Sequence, residues 1–319
     1  MSQETEYKSQ QSTDEFYMYR CLQLARNGRL GAKPNPMVGA VIVSQDGRII
    51  GEGYHVHCGE GHAEVNAFAS VRAEDECLLP NSTIYVSLEP CSHYGKTPPC
   101  ADLIIKKGVQ RVVCGCVDPF AKVQGRGIRK MREAGIEVTV GVLEAACLDL
   151  NRRFITFNTR HRPYILLKWA QTANGFIDNN GRALAISTPY TRQLVHQLRA
   201  DCDAILVGRV TDEREHPRLD ARYWNGSCPQ RLVLSHATPI PDLLARLYAE
   251  GRQCLLVEGG AKTLKSFLNT NLWDEVRIET APMTVDGGTM APQLPPSAYL
   301  LDSQTIDGHI INTFLNQHH

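Results

Sequence analysis

The chain has 319 residues, 43% of them hydrophobic, which is enough for two domains of ordinary size, each with its own core. Lys plus Arg and Asp plus Glu both number 34, so no net basic field draws nucleic acid through its phosphates; a small-molecule partner is expected instead. No run of about 18 apolar residues marks a membrane span, and the polar start "MSQETEYKSQQSTDEF" has neither the positive nor the apolar region of a signal peptide, so a cytoplasmic location is expected.

Residues 1–13 are expected to be disordered. A helix follows from Asp14, its N-cap, to about Asn27, with Met18, Cys21, Leu22 and Ala25 on one face. "MVGAVIVSQDGRIIGEGYH" is two apolar runs around a Gln-Asp-Gly turn, a β-hairpin. A helix begins near His62. "TIYVSL" is a short buried strand that ends at Glu89-Pro90, and a cysteine loop then leads into a helix from Cys100 to Lys107. "RVVCGCV", a helix around Gly127 to Ala134 and "IEVTV" complete an alternating series, which implies a layered α/β domain with helices on both faces. "LEAACLDLNRRFITFNTRHRP" is a helix running into a basic, Pro-terminated connection, so the first domain is set at residues 14–155 and the second at 156–319. The second half restarts with "YILLKWAQTANGFID", a strand running into a Gly turn, and alternates again: a helix from about Thr188 to Arg199, the strands "DAILVG" and "QRLVLS", a helix through "PDLLARLYAE", and the strand "QCLLVEGG". This is a second α/β unit with a mostly parallel sheet.

Eleven cysteines is an odd number, and they are scattered, which argues against a disulfide framework. Cys114 and Cys116 in "RVVCGCV", and Cys21, Cys147, Cys202 and Cys254 among apolar neighbours, read as inert core residues.

Three polar residues stand out chemically. His62, Cys91 and Cys100 offer one nitrogen and two thiolates, a donor set that suits borderline-soft zinc and leaves a coordination position open. An open position carries water, and zinc lowers the pKa of that water toward neutrality. Glu64, two residues from His62, is then the natural proton shuttle between water, ring nitrogen and leaving amine. On a regular helix two residues turn by roughly 200°, but at a helix start both side chains can converge on one pocket. The alternatives are a structural zinc site with His93 as fourth ligand, or a His and two Cys that never meet. The zinc-deaminase signature is H-x-E followed by P-C-x-x-C; here "HAE" and Pro90-Cys91 match, but eight residues separate the cysteines.

With that spacing, "PNPMVGAVIV", "GEGYH", "GHAE", "YVSLEPCSHYGKTPPC", "DPFAKVQGRGIRKMREAGI", "LKWA", "VHQLRADCDAILVG" and "LLVEGGA" together resemble the bifunctional riboflavin-biosynthesis deaminase-reductases over nearly the whole chain. The resemblance implies a cytidine-deaminase-like three-layer α/β/α domain followed by a dihydrofolate-reductase-like α/β domain, here shortened. It implies hydrolytic deamination of a diaminopyrimidine carrying a ribosylamino phosphate, then reduction of the ribosyl side chain to ribityl with NADPH. Asn35, which alone reads as a turn residue between two prolines, and His55 become deaminase substrate residues by this resemblance. The Gly-rich "DPFAKVQGRGIRK" is a candidate to approach the substrate phosphate, beside the plainer reading of solvated basic residues.

In the second half the resemblance places the cofactor at Ala170, Thr211 and the segment Gly260, Ala261, Lys262, Thr263, Leu264, Lys265 and Ser266. Two glycines before a helix start permit close backbone approach and favour an anion. Substrate positions fall on Arg199, Glu215, Leu219, Arg222 and Glu258. Several positions depart from the family pattern: Asn174 replaces an Asp, Ala183 and Ala185 replace Ser and Trp, Glu215 replaces an Asp, and the stretch from Arg222 to Val257 is short, with one strand, one helix and one strand. Three readings remain open at this stage. They are a working bifunctional enzyme, a zinc deaminase whose second domain only dimerises or holds substrate, and a deaminase acting on a nucleoside or nucleic acid. An apolar second domain makes a homodimer the expected assembly.

Overall fold

A computed structural model describes residues 3–92, 98–119, 124–235 and 238–317. The chain divides into two compact units, Met1–Thr159 and Arg160–His319. Among the described residues no helix is long and apolar enough to cross a membrane.

The first unit runs α1 (Gln3–Arg26), β1 (Gly39–Val43), β2 (Ile49–Tyr54), α2 (Ala63–Ala69), a 3-10 segment over Ala73–Asn81, β3 (Thr83–Val86), α3 (Cys100–Lys107), β4 (Arg111–Cys114), α4 (Arg126–Glu133), β5 (Glu137–Val140), α5 (Glu144–Leu150) and α6 (Arg152–Arg160). Its sheet has the order β2-β1-β3-β4-β5. The β1–β2 hairpin and the β1–β3 pair are antiparallel, while β3, β4 and β5 run parallel. Because strand side chains alternate between faces, Ile42, Ile84, Val112 and Cys114 pack with α2, α3 and α4 on one side. Val41, Tyr85 and Val113 pack with Met18, Cys21 and Cys147 of α1 and α5 on the other. These are the three layers that the alternation implied.

The first helix begins well before its expected start, and residues 3–13 are helical where disorder was expected; residues 1–2 lie outside the described residues. Gln10 and Gln11 each donate to a carboxylate one turn on, Asp14 at 3.0 Å and Glu15 at 3.2 Å, which supports the turn before Asp14. Asp14 is therefore no N-cap. Its buried carboxylate accepts the Arg111 guanidinium at 2.8 and 2.7 Å and the Tyr85 hydroxyl at 2.9 Å, tying α1 to β3 and β4.

The second unit continues with β6 (Tyr164–Gln171), α7 (Pro189–Asp201), β7 (Ala204–Gly208), α8 (Arg209–Glu215), β8 (Gln230–Leu234), α9 (Ile240–Ala249), β9 (Cys254–Val257), α10 (Ala261–Asn269), β10 (Glu275–Thr280), β11 (Ala298–Ile306) and β12 (His309–Asn316). The sheet order is β11-β12-β10-β6-β9-β7-β8. Five neighbouring strands from β10 to β8 are parallel, and β12 and β11 close one edge as an antiparallel hairpin. That hairpin turns at Asp307-Gly308, both at positive φ, 52° and 78°, the backbone that a two-residue Asp-Gly turn provides. α7 opens with a capping box, Thr188 and Thr191 bonding one another's backbone amides.

Candidate active site

The zinc-ligand candidates meet where two helices begin. Gly53 on β2 lets α2 lie directly on the strand, since a side chain there would run into Ala63 O and Ala67 N. The turn before the helix is pinned at Gly61, whose carbonyl accepts from Asn66 Nδ2 at 3.1 Å and faces His55 Nδ1 at 3.3 Å. His62 occupies the N-cap of α2 with extended backbone (φ −69°, ψ 173°), and Glu64 stands in the first turn. The extended cap residue is why two side chains that would diverge along a regular helix point to one place. Cys100 is the first residue of α3, and its amide donates to Cys91 Sγ at 3.3 Å.

His62 Nδ1 is 3.6 Å from Cys91 Sγ and 3.4 Å from Cys100 Sγ, and the three ligand atoms all lie within 4.8 Å of one another. One nitrogen and two sulfurs at this separation fit a tetrahedral zinc ion with an open position. Among the described residues this is the one cluster of three or more His, Cys, Asp or Glu with metal-holding geometry. His93, the candidate fourth ligand, lies outside the described residues.

Glu64 completes the group. It is 3% exposed, and its Oε2 has no hydrogen-bond partner. Burial, reinforced by the Cys91 sulfur, pushes its pKa up to about 7. Of the two thiols Cys91 ionises first: the Cys100 thiol donates to it and the His62 ring attracts its charge, bringing it to about 4, while that same bond and burial push Cys100 up. Beside the cluster, Asn35 Nδ2 lies 3.2 Å from His55 Nε2, and the His55 ring stands edge-on to that of His62 at 5.1 Å. Burial lowers the His55 pKa, which favours a neutral ring able to accept from Asn35. All six first-half candidates named from the sequence are thus neighbours.

Part of the Gly-rich segment after β4 has a partner inside the protein. Glu89, 4% exposed, accepts from the amides of Asp118 (3.3 Å), Gly125 (2.8 Å), Gly127 (3.0 Å) and Ile128 (3.4 Å). These four amides are therefore satisfied from inside the protein. Residues 120–123 lie outside the described residues.

In the second unit, Arg199 of α7 forms a two-pronged pair with Glu258 at the end of β9, Nε to Oε1 at 2.8 Å and the second prong at 3.0 Å. Arg199 also donates to the Asp220 carbonyl at 3.2 Å, and Arg222 holds the Asp220 carboxylate at 2.7 and 2.8 Å. Arg199, Arg222 and Glu258 are therefore brought together around Asp220. Leu219, 5% exposed, points into the core beside Leu198 and Leu256. Glu215 ends α8 and is exposed.

The cofactor candidates gather at the carboxyl ends of the parallel strands, where open α/β sheets bind ligands. A side chain at Gly208 would run into Thr263 Oγ1, and one at Gly260 would stand 3.0 Å from Thr211 Oγ1. Gly260 is the N-cap of α10, with Ala261 and Thr263 in its first turn. Leu264 is core, whereas Lys262 and Lys265 are exposed and Ser266 bonds back to the Thr263 carbonyl at 2.6 Å. Ala170 is the seventh residue of β6, paired with Glu279. Asn174 suits its turn: Nδ2 donates to Val285 O at 2.7 Å, a bond that the family's Asp could not make.

Sequence reasoning passed over Lys168 and Glu279. Lys168, a lone cation in an apolar strand, has its pKa lowered by burial against the pull of Glu258 and Glu279. Glu279 accepts from Ser187 Oγ and Thr191 Oγ1, both at 2.6 Å, and lies 2.8 Å from His309 Nδ1. The lone charge of Lys168 inside an apolar strand was the available signal.

Comparison with known proteins agrees with this geometry. Residues 11–116 match the cytidine and deoxycytidylate deaminase zinc-binding region, and residues 163–310 match the RibD C-terminal domain. The chain is 35% identical to riboflavin biosynthesis protein RibD of Aquifex aeolicus, covering 86% of this chain and 88% of the relative. It is 34% identical to that of Bacillus amyloliquefaciens, covering 88% and 87%. Among solved structures, a diaminohydroxyphosphoribosylaminopyrimidine deaminase/5-amino-6-(5-phosphoribosylamino)uracil reductase from Thermotoga maritima superposes with a TM-score of 0.87 at 32% identity, over 96% of this chain and 99% of that one. RibD of Acinetobacter baumannii superposes with a TM-score of 0.86 at 28% identity, over 96% and 99%. Fold and site together define a zinc-type deaminase domain joined to a RibD-type reductase domain. The chain belongs to the RibD family of riboflavin-biosynthesis proteins.

Proposed function

We propose that the first unit deaminates the diaminohydroxyphosphoribosylaminopyrimidine named for the Thermotoga relative, and that the second reduces the ribosyl side chain of the resulting uracil with NADPH. The observation that carries the first step is the buried, unpartnered Glu64 Oε2 beside the His62, Cys91 and Cys100 donors. Those three residues would hold zinc, which supplies Lewis acidity for a hydrolytic water. Glu64 Oε2 takes the proton of the attacking water and returns it to the leaving amine; a carboxyl near pH 7 in its affinity for protons serves both directions. Asn35, 3.2 Å from His55, would read the pyrimidine edge.

For the second step, Arg199, Arg222 and Glu258 offer charges to a phosphorylated, polyhydroxylated substrate. Thr211, Gly260 and Thr263 offer hydroxyls and a helix start to the dinucleotide phosphates. Lys168 and Glu258 lie on the same sheet face as partners for ribose hydroxyls. Eleven free thiols suit a cytoplasmic enzyme. The exposed Tyr299, Leu300, Leu301 and Ile310 of the β11–β12 edge support a homodimer.

The test is ammonia release from the diaminopyrimidine ribosyl phosphate by the zinc-loaded chain. Release is expected; zinc-loaded protein that leaves this substrate intact but deaminates cytidine or a nucleic-acid strand would overturn the assignment.

A further inference from the structure

We infer that Glu89 is a positioning residue for the metal ligand Cys91, acting as a helix cap in trans that locks the ligand strap to the start of α4. The inference rests on the zinc reading of His62, Cys91 and Cys100 given above.

The geometry is specific. An N-cap side chain normally accepts from the second and third amides of its own helix. The N-cap of α4 is Gly125, which has no side chain and makes no such bond. Gly127 and Ile128 hold the second and third helical positions, and it is Glu89 Oε1 that accepts from both. Glu89 Oε2 takes Gly125 and Asp118, holding both amides on one oxygen. The Glu89 backbone is fixed as well, its amide donating to Cys116 O at 3.0 Å. Gly127 packs against the next peptide, since a side chain there would run into Pro90 O. Glu89-Pro90 is therefore gripped from the side chain, the amide and the carbonyl face, and Cys91 is the next residue out. A buried carboxylate receiving several charge-assisted bonds near a helix start is held firmly. A ligand at the end of so rigid a strap loses little freedom when it binds metal.

The expected consequence is a metal effect separable from fold stability. Loss of a group that supports a metal ligand typically costs about 10- to 100-fold in metal affinity. Zinc-loaded wild-type chain and the variants Glu89→Gln, Gly127→Ala and Asp14→Asn are mixed with a chromogenic zinc chelator, and release is followed alongside circular dichroism and urea unfolding. Glu89→Gln keeps the shape but sets an amide N–H₂ against backbone donors; Gly127→Ala pushes Pro90 from the other side. Both are expected to release zinc about 10- to 100-fold faster than wild type while still folded. Asp14→Asn breaks the buried pair with Arg111 at the start of β4, away from the strap, and is expected to lose stability while releasing zinc at the wild-type rate. Should Glu89→Gln fail to fold, Gly127→Ala decides. Wild-type release from the folded strap variants, or equally fast release from Asp14→Asn, would overturn the inference. A wild-type chain that binds no zinc would instead overturn the metal reading beneath it.

Discussion

His62 Nδ1 lies 3.4 Å from Cys100 Sγ, although 38 residues separate them, and each residue stands at the start of a helix. A helix start exposes unpaired amides and a partial positive end, so two such starts facing one point favour thiolates and bring a carboxylate in the first turn to the same point. The convergence of His62, Glu64 and Cys100 thus follows from where α2 and α3 begin.

Glu64→Gln removes the proposed proton acceptor while keeping the shape. Deamination is expected to fall by about 10²- to 10⁴-fold with zinc content unchanged by elemental analysis. Reduction of separately supplied uracil substrate is expected to continue at the wild-type rate. Undiminished ammonia release would remove Glu64 from the proton path.

Cys91→Ser and Cys100→Ser each replace a thiolate ligand with a poor one for zinc. Both are expected to be purified with little zinc and to melt at a lower temperature than the loaded wild type. A strong chelator should lower the wild-type melting temperature and leave that of the serine variants in place. Full zinc occupancy in either variant would mean the sulfur is not a ligand.

Glu258→Gln leaves Arg199 without its two-pronged carboxylate and Lys168 facing a neutral group. Breaking one side of a fully buried pair costs about 3–5 kcal/mol, and this partly buried one, its side chains 14% and 11% exposed, is expected to cost less. The expected result is a destabilised second unit by urea unfolding and loss of NADPH oxidation, with ammonia release intact. A fall in both activities together would show that the change is not confined to the second site.

Acid stability should depend on Asp14. Burial raises its pKa, but the hydrogen bonds from Arg111, Gln10 and Tyr85 outweigh it and hold the carboxyl below its ordinary 3.8. A depressed folded pKa stabilises the protein above the unfolded value and loses that contribution as pH falls through the folded one. Urea unfolding of the wild type is therefore expected to weaken below about pH 4, and Asp14→Asn should be less stable at pH 7 but flatter on the acid side. Parallel pH profiles would contradict this role.

Much of the site was legible because its signals are local. The α3 bounds, Cys100 to Lys107, are those read from the sequence: two prolines precede the helix, and Gly108 ends it in the left-handed conformation (φ 70°). "HAE" before an apolar run likewise marked a helix start. What escaped were relationships made at a distance. Nothing near Glu89 announces amides 29 to 39 residues on, and nothing near Asp14 announces Arg111, 97 residues away, so a buried ion-pair partner was read as a cap. The β11–β12 hairpin was available in "TIDGHII", where Asp-Gly divides two strand-length runs, and was passed over.

The central claim is that one chain carries both activities. The direct measurement supplies the purified, zinc-loaded chain with the diaminopyrimidine ribosyl phosphate and NADPH, following ammonia release and NADPH oxidation in one cuvette. Ammonia first, then NADPH consumption at a matching stoichiometry, is the result expected. Ammonia without any NADPH oxidation would contradict the account and leave a deaminase whose second domain only holds the fold.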